Sequence, residues 1–127
     1  MLSCLFYKAS AVKKQNVYAC LSKIKIQYKE TNMSAYLVAT YRVTNPEGFA
    51  PYPEAATKTL ADAGAEIVAV DVESEVLEGD GYPATVIIKF ESKETLKAWY
   101  NSPEYQAIAG MRKDNSEGSL VMIDGIS

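Results

Sequence analysis

The sequence AYLVATYRV, residues 35–43, predicts a β-strand with two apolar faces. Side chains alternate between the two faces of a strand. One face carries the side chains of Leu37, Ala39, Tyr41 and Val43. The other face carries Tyr36 and Val38, where a water-exposed sheet would present polar residues. Each face of this strand must therefore be covered by a second layer.

After this strand the chain predicts a helix that starts irregularly. Asn45 and Pro46 form a helix-start signal, with the asparagine side chain as the cap. Pro53 has no N–H to donate, so we expect a broken first turn and a regular helix over about 53–63. Gly64 is the expected stop.

The remaining sequence predicts three more strands and a second helical region. The predicted strands are residues 65–72, 84–90 and 119–124. Ser92 is the expected cap of a helix that Asn101 interrupts, and Ser102 with Pro103 restarts it.

This order predicts an α+β, ferredoxin-like βαββαβ fold: a four-stranded antiparallel sheet with two helices on one face. The other face is then bare. Ile87 on the third strand, with Val121 and Ile123 on the fourth, makes that face too apolar for water. A second copy of the chain is the simplest cover, so the sequence predicts a homodimer.

The segment Trp99-Tyr100-Asn101-Ser102-Pro103-Glu104-Tyr105-Gln106, followed by Arg112, resembles a signature of the domain-of-unknown-function family numbered 1330. The segment 75–80 (EVLEGD) and Tyr52 are also similar to that family. The resemblance covers about residues 35–125. It implies the dimeric α+β barrel architecture, which small monooxygenases and isomerases that mostly lack cofactors share. It implies no particular reaction.

Charge divides the chain into two parts. Residues 1–32 carry six lysines and one acid, whereas residues 33–127 carry seven basic and fifteen acidic side chains. We expect residues 1–32 to be a basic extension, either disordered, a targeting peptide or a mis-assigned start before Met33. Residues 33–127 are then a single domain. A net charge of −3 argues against a nucleic-acid partner.

The residue types present exclude several kinds of chemistry. The chain contains no histidine, and both cysteines, Cys4 and Cys20, lie in the extension. A histidine general base and a histidine-ligated haem are thereby excluded, and neither a metal site nor a cofactor is expected. No apolar run approaches the roughly 18 residues of a membrane span, so we expect a cytoplasmic protein with no membrane partner.

Two residues on the last helix are candidates for ligand binding. Tyr105 and Arg112 are separated by two helical turns and so share one face. An arginine at the end of an apolar stripe is able to hold a carboxylate or enolate bidentately. The alternative is that Arg112 pairs with a structural carboxylate.

Three further aromatic residues are candidates with equally plain structural alternatives. Trp99 lies beside the helix break, where it either packs in the core or forms a stacking wall for a planar ligand. Tyr52 and Tyr36 either place phenols in a cavity between helix and sheet or are half-buried packing residues. No catalytic residue can be assigned from the sequence.

Two functions remain open. The first is a cofactor-independent enzyme acting on a small planar or acidic organic molecule. The second is a non-catalytic dimer that binds a small ligand or acts as an accessory protein.

Overall fold

The computed structural model of the chain describes residues 33–126, which form four strands and four helices. In chain order these are β1 Ala35–Val43, α1 Pro46–Phe49, α2 Tyr52–Asp62, β2 Glu66–Asp71, β3 Ala84–Phe90, α3 Lys93–Tyr100, α4 Pro103–Lys113 and β4 Ser116–Asp124. The extension predicted for residues 1–32 lies outside the described residues.

The four strands form one antiparallel sheet in the order β2-β3-β1-β4. β1 is central and pairs along its length with both β3 and β4. The helices lie on one face of this sheet, where α3 contacts β1 and β3 and α4 contacts β4. The predicted α+β, ferredoxin-like arrangement is confirmed.

Two strands differ from their predicted bounds. β4 begins at Ser116 rather than at residue 119, because β1 offers backbone partners as far as Val43. Gly118 permits this pairing, since its φ is +152° and a Cβ atom there would collide with the carbonyl oxygen of Thr40. β2 is shorter than predicted and contains a register shift between Ile67 and Ala69.

The helix starts depend on serine caps rather than on Asn45. Ser92 Oγ accepts the backbone N–H of Thr95, and Ser102 Oγ accepts that of Tyr105, at 3.1 and 3.2 Å. These predicted caps are present. The Asn45 prediction is wrong, because its side chain caps no N–H and instead donates to Asn115 Oδ1.

The helix after β1 is broken as expected. Ala50 and Pro51 lie between α1 and α2, and Pro53 lies in the first turn of α2. The chain leaves α2 through Gly64, whose φ is +74°.

The hydrophobic core lies between the sheet and the helices. Phe90 and Tyr105 are its largest fully buried side chains. Leu60, Leu96 and Trp99 pack beside them from the helical layer. Aromatic residues bury large areas, so this cluster contributes a major part of the stability of the subunit.

The opposite face of the sheet has no helix against it within residues 33–126. Its central row runs across three strands through Val121, Val38 and Ile87. Val121 is 48% exposed and Ile123, in the next row, is 46% exposed. The subunit therefore leaves an apolar sheet face uncovered, which we call the bare face.

None of the helices between residues 33 and 126 combines the length and the apolar character needed to cross a bilayer.

Candidate functional site

A cavity of about 150 Å³ lies between the sheet and the helices, and we call it the inner cavity. Strand residues form its floor: Leu37, Ala39, Tyr41, Ile67, Val70, Val86, Ile88 and Leu120. Helical and loop residues form its roof: Phe49, Tyr52, Pro53, Ala56, Thr57, Leu60, Trp99 and Arg112. Arg112 is the one charged side chain among these residues. The inner cavity is therefore an apolar space with a single cation in its wall.

The inner cavity opens along strand β2. Two floor residues on that strand, Ile67 and Val70, are 41% and 57% exposed to solvent. An apolar protein cavity of about 150 Å³ is large enough to hold one benzene molecule. The inner cavity can thus admit a single-ring compound from the β2 side.

Tyr105 joins the polar groups of this site. It lies in the first turn of α4, two turns before Arg112, and its side chain is fully buried. Its phenolic oxygen is 2.7 Å from Tyr52 Oη and 3.1 Å from Arg112 Nε. Three side chains from α2 and α4 therefore meet at one oxygen atom.

Hydrogen-bond accounting fixes the donor at one end of this network. Arg112 Nε–H donates to Tyr105 Oη, because a guanidinium has no acceptor. Between the phenols of Tyr105 and Tyr52, either oxygen can be the donor. In the arrangement in which Tyr105 donates to Tyr52, the proton of Tyr52 is left for a group inside the inner cavity.

Burial keeps the Tyr52 phenol protonated. It raises the pKa of Tyr52 well above the ordinary value of 10, because a phenolate would be poorly solvated there. The nearby Arg112 charge acts in the opposite direction but does not offset this effect. Tyr52 is consequently a hydrogen-bond donor, and it is a poor base near neutral pH.

Arg112 remains charged in its partly buried position. Burial by itself lowers the pKa of Arg112, but the interactions with the phenolic oxygens of Tyr105 and Tyr52 outweigh this effect. The pKa of Arg112 is therefore raised above its ordinary value. Arg112 forms no salt bridge with any carboxylate of residues 33–126, where the ion pairs are Arg42–Glu117 and Lys93–Asp124. The structural alternative for Arg112, a carboxylate partner within the subunit, is therefore not observed in this part of the chain.

Trp99 serves the core and borders the inner cavity as well. Its ring lies 4.1 Å from that of Tyr105 between centroids, and its indole N–H donates to Thr59 Oγ1 at 2.9 Å. It is nearly fully buried. The same ring is thus held rigidly at the cavity wall, so the two interpretations of Trp99 are compatible.

Tyr36 does not share this space with Tyr52. On β1 it is paired with Lys89 and Ile123, and it points to the bare face, opposite its neighbour Leu37. The expectation that Tyr36 places its phenol in a cavity between helix and sheet is wrong for the subunit, because the alternation along β1 turns it away.

Acidic residues do not assemble into a site in the described structure. Glu75, Glu78 and Asp80 are exposed in the loop between β2 and β3, away from the inner cavity. Within residues 33–126, no group of three histidine, cysteine, aspartate or glutamate side chains is placed to hold a metal ion.

The sequence did not indicate the link between Tyr52 and Tyr105, which are 53 residues apart. Nor did it indicate that Phe49, Ile67 and Val70 line the same space. A two-turn spacing signalled only that Tyr105 and Arg112 share a helical face.

Comparison with known proteins identifies the family. The sequence profile described as Domain of unknown function (DUF1330) matches residues 34–126. The chain belongs to the DUF1330 family. The search of curated proteins found no match to this DUF1330 chain.

Solved structures resemble this DUF1330 chain in fold. A protein of unknown function from Rhodopseudomonas palustris has a TM-score of 0.63 and 13% identity, over 86% of this chain and 93% of that chain. A dimeric ferredoxin-like protein of unknown function from Thermobifida fusca has a TM-score of 0.51 and 13% identity, over 81% of this chain and 97% of that chain. At such identities the likeness concerns the fold alone.

Proposed function

We propose that the inner cavity binds a small planar organic acid. The observation that carries the proposal is the placement of Arg112, a cation with no carboxylate partner in the described structure, in the wall of an otherwise uncharged apolar cavity. A partly buried charge is costly unless an opposite charge or hydrogen bonds compensate it. A ligand carboxylate would supply that compensation in a bidentate geometry.

The walls favour a flat apolar group as the rest of the ligand. Leu60 and Ile88 lie in the roof and floor, and Trp99 adds an aromatic surface. The volume of about 150 Å³ limits the buried group to about one ring. When Tyr105 donates to Tyr52, the Tyr52 Oη–H is available to donate a second hydrogen bond to the acid or to a carbonyl oxygen.

Isothermal titration calorimetry with phenylacetate and its neutral isostere phenylacetamide tests this proposal. Hydrogen bonds to charged groups contribute about 1.5–3 kcal/mol, so phenylacetate should bind at least about tenfold more tightly. Arg112→Gln should remove that preference, because the neutral amide side chain keeps donors but loses the charge.

Arg42→Gln is the matched control. Arg42 is an exposed arginine that pairs with Glu117 outside the inner cavity, so its loss should leave the preference intact. Equal affinity for the two ligands in the unmodified protein would refute the proposal, as would a preference that survives Arg112→Gln.

The bare face supports a homodimer as the working form. Its apolar centre, formed by Val38, Ile87 and Val121, has no cover within the described part of the subunit. A second copy presents the same surface, which suits a two-fold contact. The structurally similar Thermobifida fusca protein is described as dimeric, which agrees with this proposal.

Sedimentation of two charge variants tests the dimer. Val38→Lys places a charge at the centre of the bare face and should yield monomers at micromolar concentration. Ala61→Lys places the same charge on an exposed position of α2 and should remain dimeric. An unmodified protein that sediments as a monomer, or a Val38→Lys variant that stays dimeric, would refute the dimer.

A cofactor-independent enzyme is the second candidate, and the pairing of Tyr52 with Arg112 favours it. Two donors on one wall are suited to stabilise the negative charge that develops on a carbonyl oxygen during enolate formation. The residues lining the inner cavity within 33–126 include no carboxylate or amine. Water is therefore the acceptor of the α-proton in this proposal.

Exchange of the α-protons of phenylpyruvate in D₂O, followed by proton NMR, tests the second candidate. The protein should accelerate exchange over buffer, and Tyr52→Phe should lose the acceleration while it retains binding. An exchange rate equal to that in buffer would exclude catalysis of this kind and leave binding as the function.

A further inference from the structure

A second pocket lies against the inner cavity, and we call it the outer pocket. It encloses about 320 Å³ between the end of α4 and the start of β4. Its lining residues are Tyr41, Arg112, Lys113 and residues 116–120. Three of them, Tyr41, Arg112 and Leu120, also line the inner cavity. The two spaces are therefore adjacent, with Arg112 at their boundary.

The outer pocket has the charge of an anion site. Arg112 and Lys113 contribute two cations, and neither forms a salt bridge within residues 33–126. Glu117 is the single acid in the lining, and its carboxylate is engaged by Arg42 at 2.9 Å. The unpaired charge facing this pocket is consequently positive.

A hydrogen bond orders the backbone beside these cations. Ser116 Oγ donates to the carbonyl oxygen of Arg112 at 2.5 Å, which ties the last turn of α4 to the start of β4. The segment that carries both cations is thereby held against the sheet.

We propose that the outer pocket is a second subsite and that the ligand is a planar apolar group carrying two acidic groups. The first acid binds Arg112 at the boundary, and the second extends into the outer pocket toward Lys113. The ring remains in the inner cavity. This inference rests on the proposed function, since it needs the ring and the first acid to bind there.

Phenylsuccinate and phenylacetate form the matched pair of probes. Both carry a phenyl group one carbon from a carboxylate, and phenylsuccinate has a second carboxylate two carbons from the first. Calorimetry at one low ionic strength should give about fivefold tighter binding of phenylsuccinate, as expected for one additional partly exposed ion pair.

Three variants identify the source of that preference. Lys113→Ala should reduce the ratio of the two affinities to about one while the affinity for phenylacetate is unchanged. Lys58→Ala, an exposed lysine on α2 outside both pockets, should leave the ratio intact and so controls for net charge. Arg112→Gln should weaken the binding of both ligands.

Equal affinity of the unmodified protein for the two ligands would overturn the second subsite and leave the proposed function standing. A phenylsuccinate preference that survives Lys113→Ala would overturn it as well. Binding of neither ligand would refute the proposed function itself, and this inference with it.

Discussion

Replacing Tyr105 with phenylalanine removes the oxygen atom at which Tyr52 and Arg112 meet, while the buried ring remains. Two hydrogen bonds are lost, one of 2.7 Å between phenols and one of 3.1 Å from a guanidinium. A neutral hydrogen bond contributes about 0.5–1.5 kcal/mol to stability and one to a charged group about 1.5–3 kcal/mol. Their sum is an upper limit, because Tyr52 and Arg112 are only partly buried and water can replace part of the loss.

We therefore expect Tyr105→Phe to lower the free energy of unfolding by about 2 kcal/mol. Urea denaturation followed by the fluorescence of Trp99, which is the single tryptophan of the chain and packs against Tyr105, measures this change directly. Unmodified protein and variant must be compared at one protein concentration, since association adds to apparent stability.

Tyr100→Phe is the control for this measurement. Tyr100 also packs its ring against Trp99 and Tyr105, but its hydroxyl is outside the network. Loss of the Tyr100 hydroxyl should lower the free energy of unfolding by less than about 0.5 kcal/mol. A Tyr105→Phe variant as stable as the unmodified protein, or a Tyr100→Phe variant equally destabilised, would refute the hydrogen-bond network as described.

Three further predictions concern the core, the sheet and the pH response. Trp99→Ala should lower the free energy of unfolding by about 3–5 kcal/mol in the same urea assay. An unchanged midpoint of urea denaturation would show that Trp99 is not a core residue. Gly118→Ala should lower the free energy of unfolding by at least about 2 kcal/mol, because the φ of Gly118 is positive and the new Cβ atom would collide with β1. Gly110→Ala within α4 should raise the free energy of unfolding slightly. The same change in stability for both variants would contradict the backbone conformation at Gly118. Because the pKa of Tyr52 is raised on folding, the unfolded chain alone releases this proton above about pH 10, so stability should fall there. Tyr52→Phe should make that fall shallower, and an unchanged slope would argue against a buried neutral phenol.

The fold was predictable wherever apolar residues recur with the period of their element. The bounds of β1 and β3 agree with the sequence because both strands are almost wholly apolar or β-branched. The first three residues of β4, Ser116-Glu117-Gly118, carry no apolar side chain and pair only because β1 lies beside them. Tertiary context overrides local preference in that segment.

The helix caps were predictable only where the capping contact is local in sequence. Ser92 and Ser102 act locally, on an N–H three residues away, and so were predictable. Asn45 is drawn to Asn115, 70 residues later in the chain, and no local signal marks that contact.

The candidate site was likewise predictable only in part. Helical spacing was sufficient to place Tyr105 and Arg112 on one face, and the two residues do contact each other. The contact of Tyr52 with Tyr105 depends on how α2 packs on α4, which a single sequence does not specify. For Tyr36, the alternation of side chains along β1 already excluded a place beside Tyr52, so this prediction was avoidable.

Binding of an organic acid at Arg112 within the inner cavity can be observed at the arginine itself by NMR of the ¹⁵N-labelled protein. On titration with phenylacetate, the Nε–H resonance of Arg112 and the indole N–H resonance of Trp99 should shift together and saturate. The Nε–H resonance of Arg42 should stay in place. Shifts confined to Arg42 and other exposed cations, or no saturable shift at Arg112, would show that the acid does not bind at Arg112.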